Sequence, residues 1–183
     1  MKKAAPVLCL CAIAYFCSCN PIIPSQGPSE KDISAEFTSA PSGCGNFVVY
    51  KSNALQSKWI VIETFQDPLT FPTSFAAVKI DSSLHNYTVH YDYYSVNKDT
   101  RIQTNFMYCN DMIFPNDQMP DVWKAINGTL EIKRSEIDTT GFIHNYTVTV
   151  KLKDAHFVDS LKTDTIFIRE IQFDTVQVGW FAG

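Results

Sequence analysis

The clearest pattern of apolar and polar positions lies in the last third of the chain. Tyr146, Val148, Val150 and Leu152 alternate with Thr147, Thr149, Lys151 and Lys153, and before them Leu130 and Ile132 alternate with Glu131 and Lys133. A period of two predicts strands with one face on a core and the other in water. Elsewhere the apolar positions run together. Residues 47–51 and 58–65 (the latter KWIVIETF) have the β-branched and aromatic composition of strands. Residues 74–80, 87–96 and 102–109 continue the series. Asp81-Ser82-Ser83 and Asn97-Lys98-Asp99 supply turns between them, and Asp67-Pro68 and Phe71-Pro72 break the chain earlier. Residues 110–127 read as irregular, with a short helical turn over 121–126, and 165–173 and 175–180 predict two closing strands.

About nine strands at close spacing, with no helix-length period between them, predict an all-β domain of antiparallel strands. A two-sheet β-sandwich is the first expectation. A lipocalin-like up-and-down β-barrel is the alternative. The Gly-x-Trp signature of lipocalins is missing from the first strand, since Gly179-Trp180 stands at the opposite end of the chain.

The N-terminus has a different pattern. Lys2 and Lys3 precede an apolar run over 4–16, and Ser18-Cys19 follows. The run falls short of the roughly 20 residues a spanning helix needs. It reads as a lipoprotein signal peptide over 1–18, with Cys19 as the acylated residue, although Phe16 and Cys17 depart from the usual pattern. Ala12-Ile13-Ala14 offers ordinary secretion as the alternative. Residues 19–42 contain Pro21, Pro24, Pro28 and Pro41 among Ser, Gly and Gln, and predict a flexible spacer ahead of one domain over 43–183.

The cysteines change the picture of the domain. Cys9, Cys11, Cys17 and Cys19 lie in or at the end of the signal, which leaves Cys44 and Cys109 for the folded part. Two cysteines in an oxidising compartment predict one disulfide. Its loop of about 66 residues is assigned about 4 kcal/mol by the chain-entropy model. Charge excludes one class of partner. The formal charge of −4 becomes −6 once Lys2 and Lys3 are removed, and the remaining basic residues form no stripe. Nucleic acid is therefore not an expected partner, and the membrane is expected to be reached through the N-terminal lipid alone.

The Lys-Lys start, Ser18-Cys19-Asn20, the Pro-rich spacer, Gly128-Thr129-Leu130, Tyr146-Thr147-Val148-Thr149-Val150 and Val176-Gln177-Val178-Gly179 together resemble the small lipoproteins of the Bacteroidota. The resemblance implies an envelope lipoprotein with a β-sandwich, anchored by lipid at the outer membrane, and it implies no reaction. Surface-export signals of such lipoproteins carry an acidic cluster after the cysteine, which is missing here. The periplasmic side is accordingly favoured over the cell surface.

Two stretches carry candidate chemistry. Residues 109–121 (CNDMIFPNDQMPD) concentrate Asn110, Asp111, Asn116, Asp117 and Asp121, hard oxygen donors of the kind Ca²⁺ takes, without the spacing of an EF-hand. A solvated loop with Asn, Asp and Pro at its turns is the alternative. In residues 86–94 (NYTVHYDYY), Tyr87, Val89, Tyr91 and Tyr93 share one face and Thr88, His90, Asp92 and Tyr94 the other. The second face has the composition of a flat sugar-binding platform, against which stands plain cross-strand packing. His90 and Asp92, about 7 Å apart along a strand, are expected to be too distant for a hydrogen-bonded dyad. His85, His144 and His156 accompany no Gly-x-Ser-x-Gly or His-Glu-x-x-His motif, so no catalytic residue is assigned. The expected function is a membrane-tethered binding or structural module for a glycan or protein partner. A small envelope hydrolase using carboxylates is the alternative.

Overall fold

The alternating stretch becomes strand β7 (Tyr146–Asp159). Its apolar positions Tyr146, Val148, Val150 and Leu152 are buried, and the Thr and Lys between them are partly exposed. β7 pairs antiparallel with β6 (Asp121–Arg134) on one side and β8 (Thr165–Val178) on the other. The computed structural model describes residues 30–45, 47–67, 70–81, 86–94, 109, 120–137, 145–161 and 164–179. The other strands are β1 (Ser42–Cys44), β2 (Val48–Ser52), β3 (Lys58–Glu63), β4 (Ala76–Ile80) and β5 (Thr88–Tyr93). All belong to one antiparallel sheet in the order β1-β2-β3-β5-β6-β7-β8, with β4 also paired to β6.

The two ends of this sheet meet. The Gly179 N–H donates to the Gly45 carbonyl at 2.7 Å. A Cβ added to Gly43 would lie 2.6 Å from Val176 Cγ1 and 3.0 Å from Val178 Cγ1, so only a residue without a side chain lets β1 come this close to β8. The result is a nearly closed, barrel-like sheet. A division into two sheets and a ninth strand are not seen among the described residues, and 102–108, most of the strand expected over 102–109, lie outside them. Side chains fill the interior. Val49, Ile60, Ile62, Leu130, Ile132, Val150, Leu152, Phe157, Ile168 and Phe173 are fully buried in one cluster, each contributing about 1.5–3 kcal/mol by leaving water.

Three expectations are corrected. Residues 121–126 are not a helical turn but the first half of β6. Trp123 pairs with Tyr91 on one side and Asp159 on the other, and two ladders outweigh a local helical preference. The two predicted closing strands are one. Thr175 adopts φ 51°, and the register steps from Val148↔Val176 to Val150↔Phe173. One extra residue on β8 makes a bulge that bends the strand without ending it.

The third correction concerns the spacer, whose last part is folded. Ile33 and Phe37 enter the core, and Asp32 bridges Phe167 in parallel. The Ile33 N–H donates to the Phe167 carbonyl at 3.1 Å, and the Arg169 N–H donates to Ser34 Oγ at 2.8 Å and Asp32 Oδ1 at 3.2 Å. The Ser34 hydroxyl bonded to Asp32 holds that carboxyl below its ordinary value. These groups cover the edge of β8 that β1 does not reach, leaving less of it available for another chain. Phe37 meets Tyr91 edge to face at 6.3 Å between centroids. Phe37→Ala is expected to cost about 3–5 kcal/mol in urea unfolding. A loss below about 1 kcal/mol would mean that 30–42 is a loose spacer after all.

Candidate functional site

Strand β3 is buried on both faces. Ile60 and Ile62 enter the main core, and Trp59 and Val61 enter a second, smaller cluster on the opposite side. The register Tyr50↔Val61↔His90 and Ser52↔Trp59↔Asp92, with Glu63↔Thr88, sets the members of each row on the same face. Thr88, His90 and Asp92 therefore do share a face, as their alternation predicts. That face is not an open platform. Asp92 is 2% exposed and Tyr94 7%, and Tyr94 packs with Cys44, Tyr50, Trp59 and Val61, with Cys109 against them. The expected sugar platform is thus corrected, because half of it is core.

The cover is stapled in place. Cys44 and Cys109 form a disulfide with their Cα atoms 5.7 Å apart, a separation suited to a bridge. Cys109 Sγ also lies 3.5 Å from the Tyr50 hydroxyl. The Trp59 indole N–H donates to the Gln56 carbonyl at 2.9 Å, so the large ring is buried with its polar atom satisfied.

The spacing argument against a His90–Asp92 contact is also corrected. His90 Nδ1 lies 2.6 Å from Asp92 Oδ1. Seven ångströms separates backbone positions; two long side chains leaning toward each other along the strand close the gap. The carboxylate is nearly buried and the ring 14% exposed. A buried carboxylate needs donors, and the imidazole supplies one while being fixed in orientation by it. Cys44 and Cys109, joined to each other, carry no nucleophile.

The remaining candidates are dispersed. Asp121 opens β6 opposite Tyr93 and is exposed. Asn110, Asp111, Asn116 and Asp117 lie outside the described residues, as do His85 and His144. Among the described residues no group of three or more His, Cys, Asp or Glu is placed to hold a metal. His156 is engaged at the N-terminal segment: its Nε2 lies 2.9 Å from Glu30 Oε2 and its Nδ1 2.6 Å from Asn127 Oδ1.

A different constellation emerges on the outer face of β4, β6 and β7. The register sets Lys79 beside Thr129 and Lys153, Ala77 beside Glu131 and Lys151, and Lys133 beside Thr149. Lys153 Nζ is bound to Glu131 at 2.7 Å. Lys133 and Lys151 instead reach over the ring of Phe75, each ammonium 5.1 Å from its centroid, within the range of cation–π attraction. The ring is 45% exposed. Next to it lies a groove of about 420 Å³ whose walls include Thr73, Lys133, Arg134, Glu136, Thr147, Thr149 and Thr175. Arg134 fixes one wall, with Nε donating to the Phe71 carbonyl at 2.8 Å and Nη1 to the Ser135 carbonyl at 2.9 Å. Thr175, the bulge residue of β8, supplies another part of the lining.

No family model, curated protein or solved structure matches the chain. The groove had only a faint signal in the sequence. Lys133, Thr147, Thr149 and Lys151 are the polar half of the alternation, where the pattern predicts water, and Phe75 becomes their neighbour only through the β4–β6 register.

Two outcomes are expected from the buried outer cluster. Replacing both Cys44 and Cys109 by serine should lower stability by about 4 kcal/mol in the chain-entropy account, measured by denaturant unfolding; an unchanged midpoint would mean the staple is dispensable. A double-mutant cycle over His90→Ala and Asp92→Ala should give a coupling of about 1–3 kcal/mol. Simple additivity of the two losses would show that the 2.6 Å contact carries no net energy.

Proposed function

We propose that the chain is a membrane-tethered module of a bacterial envelope that binds a glycan through the outer face of β4, β6 and β7. The observation that carries this reading is the partly exposed Phe75 ring, joined through Lys133 to a groove lined by threonine hydroxyls and charged side chains. Sugar rings offer apolar C–H faces that stack on aromatic rings, and hydroxyls that pair with polar groups around them. The filled interior supports the same reading, since the fully buried residues occupy the space in which a barrel of carrier type holds its ligand.

The tether is the acyl group proposed at Cys19 after removal of the signal over 1–18, at the periplasmic side of the outer membrane. With Glu30 already engaged by His156, the stretch from Cys19 to Glu30 extends at most about 40 Å. The domain is thereby kept close to the bilayer, and partners within that reach are the ones it meets.

Mature protein isolated from membranes tests both parts. Mass spectrometry should find acyl chains on an N-terminal Cys19; an unmodified residue following Ala14 overturns the tether. On an oligosaccharide array the same protein should retain a subset of sugars, with Phe75→Ala weakening retention by about tenfold. Absence of retention of any sugar overturns the binding reading.

A further inference from the structure

The two lysines at Phe75 have a peculiarity that a neutral ligand does not use. Each ammonium lies 5.1 Å from one ring centroid, so the two charges are at most about 10 Å apart and repel each other. Among the described residues neither has a carboxylate partner, whereas the neighbouring Lys153 is neutralised by Glu131 and Lys58 by Glu36. This occurs in a chain whose formal net charge is −4, where carboxylates outnumber cations.

The groove is also polar along its length. Lys133 lines it and joins it to Phe75, over which Lys151 also reaches from outside the lining; Thr149 and Thr147 follow along β7, and Glu136 lies beyond Arg134. A ligand with an anionic group at the first end and uncharged hydroxyls along the threonines complements all three stretches. An anion between the two ammonium groups removes their repulsion and gains charge-assisted hydrogen bonds, and the part of the Phe75 ring that the lysines leave exposed meets the apolar face of the sugar that carries it. A carboxylate of Glu136 at the far end sets the direction in which such a chain lies.

We infer that Phe75, Lys133 and Lys151 form a subsite for the acidic group of an acidic saccharide, with the threonine-lined groove accepting the adjoining sugars. This rests on the glycan reading above and narrows it to uronic-acid or sulfated oligosaccharides. The flat ring and the row of hydroxyls favour a sugar over an acidic peptide, which has no pyranose face to stack.

Titration calorimetry on the mature full-length protein, with tetragalacturonate, its neutral methyl ester, a sulfated galacto-oligosaccharide and a short polyglutamate peptide as probes, tests the inference. One or both of the acidic sugars should bind, and the methyl ester should bind about tenfold more weakly than the free acid if that acid is the ligand. Lys133→Gln and Lys151→Gln should each weaken the acidic sugar about fivefold and the ester by less than about twofold, with circular dichroism showing the fold retained. Ester and acid binding alike, with Phe75→Ala still weakening both, overturns the acidic subsite and leaves the glycan reading in place. Polyglutamate binding as tightly as the acidic sugars overturns the saccharide assignment. No binding of any sugar here or on the array overturns both.

Discussion

Strand β3 leaves no face for water, and much of the molecule follows from that. Its central residues Trp59, Ile60, Val61 and Ile62 are all buried. One face rests on the barrel-like core; the other packs with Cys44, Tyr50 and Tyr94, with Cys109 against them. The cover includes Cys109, and the disulfide to Cys44 at the neighbouring edge fixes it over Tyr50, Trp59 and Tyr94. Covering that face buries Asp92 as well, so His90 is drawn into a direct contact. A residue set that reads as a site in one dimension is thus a by-product of two-sided burial in three. A charged group caught inside needs a partner, whatever else it does.

How much of this was legible depended on whether one strand or several carried the information. The alternation in β7 states its own burial pattern, because a half-buried strand writes its two faces into consecutive residues. The unbroken run in β3 likewise reads as a strand, though its outer burial is not distinguishable from a large inner one. The start of β6 was misread because Asp121 to Ile126 has no alternation strong enough to show the two ladders that hold it. The break at Asp174-Thr175 looked like a strand end because a bulge and a turn use similar residues. Residues 30–42 looked like spacer because only Ile33 and Phe37 carry their attachment, and two apolar residues do not make a period. Cys44 and Cys109 are the pair expected from the sequence because the proposed signal would account for the others, and the disulfide joins them.

The groove shows why polar faces are harder to read than apolar ones. An apolar face announces itself by composition, whereas the polar half of a strand is the same whether it faces bulk water or lines a binding surface. What distinguishes the two is register. Phe75 approaches Lys133 and Lys151 because β4 pairs with β6, and Thr175 joins the wall because the bulge of β8 turns it there. The long strands also accommodate paired irregularities at Asp154 and Gly128. Gly128 has φ 133°, and a Cβ there would stand 3.0 Å from the Ala155 Cα. Left-handed conformations at Asp154 and Thr175 cost about 1 kcal/mol each. That strain is offset by the packed core beneath them and bends the strands around it.

The seam between β1 and β8 also governs time. The sheet is joined where segments far apart in sequence meet: Gly45 with Gly179, and Asp32 with Phe167. A sheet closed in this way cannot be completed while the C-terminal strand is still missing, and pairing over so long a separation is slow compared with forming a hairpin. During synthesis the sheet therefore stays open until β8 arrives. For a polypeptide that crosses a membrane before folding, as the signal reading proposes, that delay keeps it threadable and reserves closure for the far side.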